Sequence, residues 1–198
     1  MKAVFYGHGT LRLDTAAGQS VFIDPHFPGD YSVPADFILV THRHFDHVGA
    51  LDRVIRAPGC VEIMPEDAVK DGKYLEMEKS GVKITAVEAS NANHDPRCCV
   101  GYIIEADGIR VYCAGDTSKT ADMEKMGDIA WAFLPIDGIY NMGPEEASEC
   151  ARIIAPGVAF PIHNDPRSNS DFTFYPTGFD RFDYPSTVVL RPGESFPL

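Results

Sequence analysis

The residues best suited to chemistry in this sequence lie between Thr41 and His47, a stretch that places three imidazoles and one carboxylate within six positions. In an extended turn, side chains at positions i and i+2 lie on one side, so His42 and His44 can bind one cation. Asp46 and His47 stand at the start of a predicted helix and can face a second cation. Zinc prefers imidazole and carboxylate ligands, and manganese and iron accept them. The stretch therefore predicts ligands for metal ions without fixing which metal binds.

Four side chains from one loop cannot complete two metal sites, so further ligands must come from elsewhere in the chain. His94, Asp116 and His163 are the candidates, and each follows or ends a predicted strand. Taken singly, each is typical of an ordinary loop or turn. Their shared position at strand ends favours one common site, because functional loops converge at the carboxyl ends of strands.

The pattern of apolar residues predicts the elements that hold these side chains. Apolar runs predict strands at residues 1–6, 11–15, 20–23, 37–40, 61–64, 82–87, 100–105, 109–113, 131–135, 158–162 and 187–190. Helical spacing predicts helices at 47–55, 65–71, 121–126 and 144–154. Both halves of the chain mix strands, hairpins and helices, which predicts an α/β fold of the α+β type, with two mixed sheets face to face and helices outside. No linker divides the chain, so we expect residues 1–198 to form one domain.

Four motifs together resemble the metallo-β-lactamase superfamily over nearly the whole chain: Thr41–His47, Ile23-Asp24-Pro25, Ala114-Gly115-Asp116-Thr117 and Pro161-Ile162-His163. Further stretches are similar to the branch of small metal-dependent hydrolases that includes ascorbate-6-phosphate lactonase. These are Tyr112-Cys113, Leu134-Pro135-Ile136, Tyr140-Asn141-Met142 and Leu190-Arg191-Pro192-Gly193-Glu194. The resemblance implies a four-layer αββα sandwich, which agrees with the two sheets predicted from the apolar pattern.

The resemblance also implies a site with two divalent metal ions. His42, His44 and His94 would hold one ion, Asp46, His47 and His163 would hold the other, and Asp116 would bridge them. This branch often carries an Ala-aromatic-His motif where the chain has Ala89-Ser90-Asn91, so Asn91 competes with His94 as the third ligand of the first ion. Imidazole is the better ligand, which favours His94. We expect Zn²⁺, with Mn²⁺ or Fe as alternatives.

Two neighbouring cations would lower the pKa of a shared water and present hydroxide to a carbon or phosphorus atom. The predicted function is therefore hydrolysis of a small anionic metabolite, a lactone or a phosphoester. Asp46 is the expected catalytic residue, because it can orient that water and move a proton. Asp24 is expected to accept a hydrogen bond from a ligand imidazole. Candidates for contact with the substrate are His26, Arg97, Tyr140, Asn141 and Asn164, and Arg97 could hold a phosphate or carboxylate.

Composition excludes several other classes of protein. The chain has 198 residues, of which 44% are hydrophobic, so it can bury a core of its own. A net charge of −12 disfavours binding to nucleic acid or to an anionic membrane surface. Five irregularly spaced cysteines indicate reduced thiols, and the sequence lacks an export signal or a long apolar span. We expect a cytoplasmic protein whose partner is a small-molecule substrate, with a homo-oligomer as an open alternative.

Two other functions stay open. A nuclease that processes RNA or DNA would share the first motif, although the charge of −12 and the lack of a basic arm disfavour it. A non-catalytic scaffold would keep the metal ligands without an exchangeable water. A redox di-iron protein is disfavoured, because such relatives usually carry a carboxylate where this chain has His44.

The segment 172–184 is rich in aromatic residues. We expect it to pack against the protein or to form an oligomer contact, and not to act as a lid.

Overall fold

The structure is a computed structural model that describes residues 1–197. Its strands are β1 (Lys2–Gly7), β2 (Thr10–Asp14), β3 (Ser20–Ile23), β4 (Ala35–Leu39), β5 (Arg56–Ile63), β6 (Val69–Lys70), β7 (Lys73–Tyr74), β8 (Glu76–Lys79), β9 (Val82–Glu88), β10 (Val100–Ala106), β11 (Ile109–Cys113), β12 (Trp131–Pro135), β13 (Val158–Ile162) and β14 (Ser195–Pro197). The helices are α1 (Phe45–Val48), α2 (Pro65–Ala68), α3 (Pro144–Ile154) and α4 (Ser168–Asp171), and short 3₁₀ turns cover Leu51–Arg53, Ala121–Lys125 and Phe179–Arg181.

Two six-stranded mixed sheets pack face to face, in the orders β14-β1-β2-β3-β4-β5 and β13-β12-β11-β10-β9-β8. In the first sheet β3, β4 and β5 are parallel neighbours, and in the second sheet β11, β12 and β13 are. The remaining pairs in both sheets are antiparallel. Loops that follow parallel strands leave at the same edge, so each half supplies a set of loops to one end of the sandwich.

The core lies between the two sheets and follows the two-residue period of β-strands. In β1, Ala3 and Phe5 face the core, while Val4 and Tyr6 face outward. In β12, Phe133 packs in the core against Phe160 of β13, with ring centroids 4.5 Å apart. Each sheet thus buries one apolar face against the other sheet. Burial of that face specifies the pairing register of the strands within each sheet.

Helices and loops cover the two outer faces. The buried face of α3 contributes Ala147, Cys150 and Ala151 to the cluster over the second sheet. The outer face of the first sheet is covered by Phe27 and other residues of the loop after β3, together with the short turns that follow β4. The predicted fold class and the four-layer αββα order are confirmed, although one outer layer contains only short helical turns.

The helix predicted at 47–55 is wrong in extent. The structure has α1 at Phe45–Val48 and a separate 3₁₀ turn at Leu51–Arg53. The break lies at Gly49 and Ala50, because the Ala50 amide donates its hydrogen bond to the Pro25 carbonyl at 2.9 Å instead of continuing the helix. Gly49 also packs against the His26 imidazole, so closely that a Cβ there would lie 2.4 Å from Nδ1. A tertiary contact therefore overrides the helical spacing of the sequence.

Three further element predictions are corrected. The helix predicted at 65–71 ends at Ala68, because the next residues form the β6-β7 hairpin around Asp71-Gly72, both at positive φ. The segment 121–126 contains a 3₁₀ turn, Ala121–Lys125. The strand predicted at 187–190 contains only an isolated bridge from Thr187 to Ala159, and the last described strand is β14, which pairs with β1. The polar strand β8 was not predicted, because its pattern is not apolar.

Candidate metal centre

The loop after β4 presents four of the predicted ligands from one short stretch. His42 and His44 lie in the extended segment before α1, and Asp46 and His47 lie in its first turn. The Thr41 carbonyl accepts a hydrogen bond from the Val100 amide at 3.0 Å, which ties this loop to the second sheet. Because one loop changes from extended to helical inside the motif, its first two histidines and its last two ligands face different groups.

The first cluster contains His42, His44 and His94. His44 Nδ1 lies 3.1 Å from His42 Nε2 and 3.3 Å from His94 Nε2. Burial is the main cause that lowers the pKa of His42 and of His94, so both imidazoles are held neutral. Neutral imidazoles whose ring nitrogens converge can direct their lone pairs at one cation.

Asn91 holds His94 in place instead of joining the cluster. Its Oδ1 lies 2.9 Å from His94 Nδ1, on the opposite side of the ring from the nitrogen that faces His44. Its Nδ2 donates to the Tyr140 carbonyl at 3.0 Å. The geometry therefore places His94 with the other two histidines and Asn91 behind it.

The second cluster contains Asp46, His47 and His163. Asp46 Oδ2 lies 3.9 Å from His163 Nε2, and the rings of His47 and His163 are stacked with centroids 5.6 Å apart. His8 joins this group: its Nε2 lies 3.3 Å from Asp46 Oδ2, and its ring centroid lies 3.6 Å from that of His163. All four side chains are buried.

Asp116 lies between the two clusters, in the loop after β11. Its Oδ2 is 3.4 Å from His94 Nε2 and 3.4 Å from His163 Nε2, and its Oδ1 is 3.3 Å from His47 Nε2. Gly115 permits this position: its φ is +64°, and a Cβ would lie 2.8 Å from the Val100 carbonyl oxygen. One carboxylate thus contacts ligand candidates of both groups.

Two further carboxylates orient histidines of the second cluster. Asp24 Oδ2 lies 2.8 Å from His47 Nδ1 and also accepts the Thr41 hydroxyl at 2.7 Å. Asp137 Oδ2 lies 2.9 Å from His163 Nδ1, and Asn141 Nδ2 donates to the same oxygen at 2.8 Å. Asp24 was predicted in this role, and Asp137 was missed. Such pairs fix the tautomer and direction of an imidazole and leave its other nitrogen for a metal.

Charges inside the site oppose the effect of burial. Burial alone would lower the pKa of His47 and His163, but Asp116 together with Asp24 or Asp137 outweighs it and raises both pKa values. Burial alone would raise the pKa of Asp116, but the imidazoles around it hold that pKa well below its usual range. The cluster therefore keeps Asp116 ionised and attracts positive charge.

The residues present fit divalent metal ions. Nε2 of His47 and Nε2 of His163 are buried and, among residues 1–197, neither has a hydrogen-bond partner of adequate geometry. A buried polar nitrogen left in this state costs roughly 1–3 kcal/mol. Both orphaned nitrogens face Asp116, and nitrogen with carboxylate oxygen is a donor set that zinc prefers. The potential ligand atoms within each group lie within 4.8 Å of one another.

A small polar cap covers Asp46. His8 Nδ1 lies 3.0 Å from the Ser168 hydroxyl, and Asn169 Nδ2 donates to Asp46 Oδ2 at 2.7 Å. Burial is the main cause that lowers the pKa of His8 to about 3. Asn169 was missed by the sequence analysis, and nothing in its local sequence distinguishes it from an ordinary loop residue.

The two clusters form the floor of an open cleft of about 280 Å³. The residues that line it are His44, Phe45, Asp46, Asn93, His94, Asp116, Tyr140, His163, Pro166 and Asn169. Of the predicted substrate contacts, Tyr140 lies here. The prediction that Arg97 lines the cleft is corrected. Its exposed guanidinium pairs with Asp95 at 2.5 Å, and Arg97 lines a different cavity. His26, Asn141 and Asn164 are not part of the cleft lining either; Asn164 is bonded to the carbonyls of Tyr175 and Thr177.

A two-sheet sandwich with histidines and aspartates gathered at the ends of its parallel strands defines the class of metallo-β-lactamase-like proteins. The sequence model of the Beta-lactamase superfamily domain matches residues 2–163. The chain belongs to the metallo-β-lactamase superfamily and, within it, to a group of metal-dependent hydrolases. The narrower resemblance to ascorbate-6-phosphate lactonase stays a prediction.

Relatives of similar length support this assignment. A UPF0173 metal-dependent hydrolase of Thermococcus onnurineus is 31% identical, and the alignment covers 100% of both chains. The structure of a protein from Parabacteroides distasonis, assigned as a metal-dependent hydrolase, is 30% identical with a TM-score of 0.74 and covers 95% of this chain and 90% of that one. A Thermotoga maritima protein, assigned as a Zn-dependent hydrolase of the metallo-beta-lactamase superfamily, is 25% identical with a TM-score of 0.67, covering 91% of this chain and 83% of that one.

Among the helices of residues 1–197, none is long and apolar enough to cross a bilayer.

Proposed function

We propose that this protein is a hydrolase that uses two divalent metal ions to cleave a small-molecule ester, either a lactone or a phosphoester. The observation that carries the proposal is the position of Asp116, whose two oxygens lie 3.3–3.4 Å from nitrogens of both histidine groups. A single carboxylate between two groups of candidate ligands, all of them buried except His44, is the arrangement expected for a pair of cations.

His42, His44 and His94 would hold one ion, Asp46, His47 and His163 the other, and Asp116 both. We propose Zn²⁺ as the metal, with Mn²⁺ and Fe as alternatives. When bound, a pair of such ions lowers the pKa of water to near neutrality and so supplies hydroxide at the floor of the cleft.

Asp46 is the proposed catalytic residue. Its contacts with His8, Asn169 and His163 all use Oδ2. Within residues 1–197 this leaves Oδ1 without a described hydrogen bond, in a residue that lines the cleft. That oxygen can accept a proton from the attacking water and return it to the leaving group.

The bonds and protons in the hydrolysis of a lactone can be accounted for with water and Asp46. The oxygen of water forms a bond to the carbonyl carbon, and the ring C–O bond breaks. One proton of water passes through Asp46 to the departing alkoxide, and the new carboxylic acid releases the other to solvent. No nucleophilic side chain of the protein is required.

A nuclease is not favoured by the site. The ten residues that line the cleft include no lysine or arginine, although a nucleic-acid backbone would require such contacts. A scaffold without activity is not favoured either, because the ligand groups open onto a cleft large enough for a small molecule.

The experiment loads purified protein with Zn²⁺ or Mn²⁺ and assays a panel of lactones and phosphoesters. We expect turnover of at least one class, which is lost on chelation and restored by metal. His47→Ala should abolish it, whereas Asp95→Asn, which breaks an exposed ion pair outside the cleft lining, should not. Metal-loaded protein without activity on either class would contradict the proposed reaction.

A further inference from the structure

The mouth of the cleft carries three apolar side chains, which we call the apolar rim: Phe45, Tyr140 and the partly buried Pro166. Phe45 is 59% exposed and Tyr140 is 48% exposed. Both belong to the few large apolar residues of the described chain that are exposed to solvent. Phe45 follows β4 of the first sheet, and Tyr140 and Pro166 follow strands of the second sheet. Each half of the sandwich thus places an aromatic ring beside the metal ligands.

The protein holds the Phe45 ring in position although solvent reaches it. The ring packs edge-on against His26, with centroids 5.3 Å apart and planes at 87°. His26 in turn packs against Phe172 at 5.3 Å, and its Nε2 lies 2.8 Å from the Asn169 carbonyl oxygen. An exposed aromatic ring supported in this way loses little conformational freedom when it binds a ligand.

The backbone at Tyr140 is fixed from three directions. Asp137 Oδ1 accepts the Tyr140 amide at 2.7 Å, while Asn91 and Asn93 each donate a side-chain amide to the Tyr140 carbonyl at 3.0 Å. Asp137 also orients the ligand candidate His163. The same carboxylate therefore sets the position of the metal ligand and of the aromatic rim, which couples the two parts of the cleft.

Positive side chains that could bind a phosphate are absent from the described cleft lining. The arginines adjacent in sequence to its residues are engaged elsewhere: Arg43 pairs with Glu66, and Arg167 pairs with Asp165 at 2.6 Å. With a net charge of −12, the molecule also repels anions at long range. An anionic group distant from the metal ions would find no lysine or arginine in this lining.

We propose that the substrate is a carboxylic ester or lactone that is uncharged outside its reacting group and carries an apolar substituent of several carbons, bound between Phe45 and Tyr140. This inference rests on the proposed hydrolase function and selects the ester over the phosphoester. Each methylene group moved from water to the rim stabilises the complex, so affinity rises with chain length.

Activity tests the proposal with the p-nitrophenyl esters of acetate, butyrate and octanoate, and with p-nitrophenyl phosphate, on zinc-loaded protein. We expect kcat/KM to rise at least about tenfold from acetate to octanoate, and to be lowest for the phosphate. Phe45→Ala and Tyr140→Ala should each reduce that ratio about threefold or more. The control Ile55→Ala removes a similarly exposed apolar side chain away from the cleft lining and should leave the ratio unchanged.

Binding tests it without turnover. Calorimetry compares acetohydroxamate with octanohydroxamate, which share one metal-binding group and differ in the apolar chain, on protein whose zinc content is measured for every variant. We expect octanohydroxamate to bind at least about tenfold more tightly, and this preference to weaken in Phe45→Ala and Tyr140→Ala. If no ester is cleaved but the preference persists, the proposed reaction fails and the apolar site stands.

Three results would overturn the inference: equal affinity for both hydroxamates, faster cleavage of the phosphate than of every ester, or a rim that serves as an interface between copies. The last would show in sedimentation as an oligomer that dissociates in Phe45→Ala and Tyr140→Ala while hydroxamate affinity is unchanged.

Discussion

Asp24 and Asp137 have equivalent positions in the two halves of the sandwich. Each follows a parallel strand, and each accepts a hydrogen bond from Nδ1 of a histidine in the second cluster. Asp24 was predictable because Ile23-Asp24-Pro25 belongs to a motif. Asp137 was missed, yet it has the same feature in the sequence, an acidic residue shortly after a buried strand, here β12, which ends at Pro135.

Removing the charge of Asp137 tests its role. In Asp137→Asn the His163 imidazole loses its carboxylate partner, and we expect zinc affinity to fall about 10- to 100-fold. Competition with a chromogenic chelator measures this change. Asp95→Asn is the matched control, since Asp95 pairs only with an exposed arginine among the described ion pairs. Equal zinc affinity in Asp137→Asn and wild type would show that His163 needs no orienting carboxylate.

His8 could act either as a metal ligand or as a residue that positions Asp46. Its ring is close enough to Asp46, His47 and His163 to share a metal with them. Its Nε2 faces Asp46, and its Nδ1 faces Ser168, which favours a role in positioning Asp46. His8 adopts φ of +53°, a conformation that Asn tolerates better than most residues. We expect His8→Asn to keep its zinc and to lower kcat about tenfold with little change in KM. Loss of one zinc would instead identify His8 as a ligand.

At the scale of elements, two buried tyrosines on neighbouring strands form a natural comparison. The Tyr102 hydroxyl donates to the Val40 carbonyl at 2.9 Å and so joins the two sheets near the site. The Tyr112 hydroxyl is equally buried, but among residues 1–197 it has no hydrogen-bond partner. Burying a hydroxyl without a partner costs free energy, whereas a satisfied hydroxyl stabilises the fold.

We therefore expect Tyr102→Phe to lower the free energy of unfolding by about 1–2 kcal/mol. Tyr112→Phe should change it by less than about 0.5 kcal/mol or increase it. Urea denaturation of both variants measures the difference. If Tyr112→Phe destabilises the protein as much as Tyr102→Phe, the Tyr112 hydroxyl has a partner that this structure does not describe.

The same scale shows what the sequence could predict. Strands buried on both faces, such as β1 and β12, were placed within one residue, because such strands are continuous apolar runs in the sequence. Helix 47–55 was not, since the Pro25 carbonyl takes the Ala50 amide, a contact between residues distant in sequence. His42 and His47 could be predicted because they belong to one local motif. Asn169 could not, because it reaches Asp46 from a distant part of the sequence.

At the scale of the whole molecule, the site gathers buried carboxylates in a chain whose net charge is already −12. Bound cations would offset that charge, so metal binding should stabilise the folded state. Ligand at about 100 times its Kd adds about 2.7 kcal/mol for one site, which corresponds to a Tm increase of roughly 5–10 °C in a chain of this size. Thermal unfolding before and after chelation checks this; an unchanged Tm would mean that metal does not bind the folded state preferentially.

The most direct test of the account is the number of metal ions bound per chain. Purified without chelator and reconstituted with zinc, the wild-type protein should contain about two ions. His94→Ala and His163→Ala should each retain about one, because each removes a proposed ligand of a different ion. Asp116→Asn should weaken both. One ion or fewer in the reconstituted wild type, with the same ion lost in both histidine variants, would contradict the dinuclear centre.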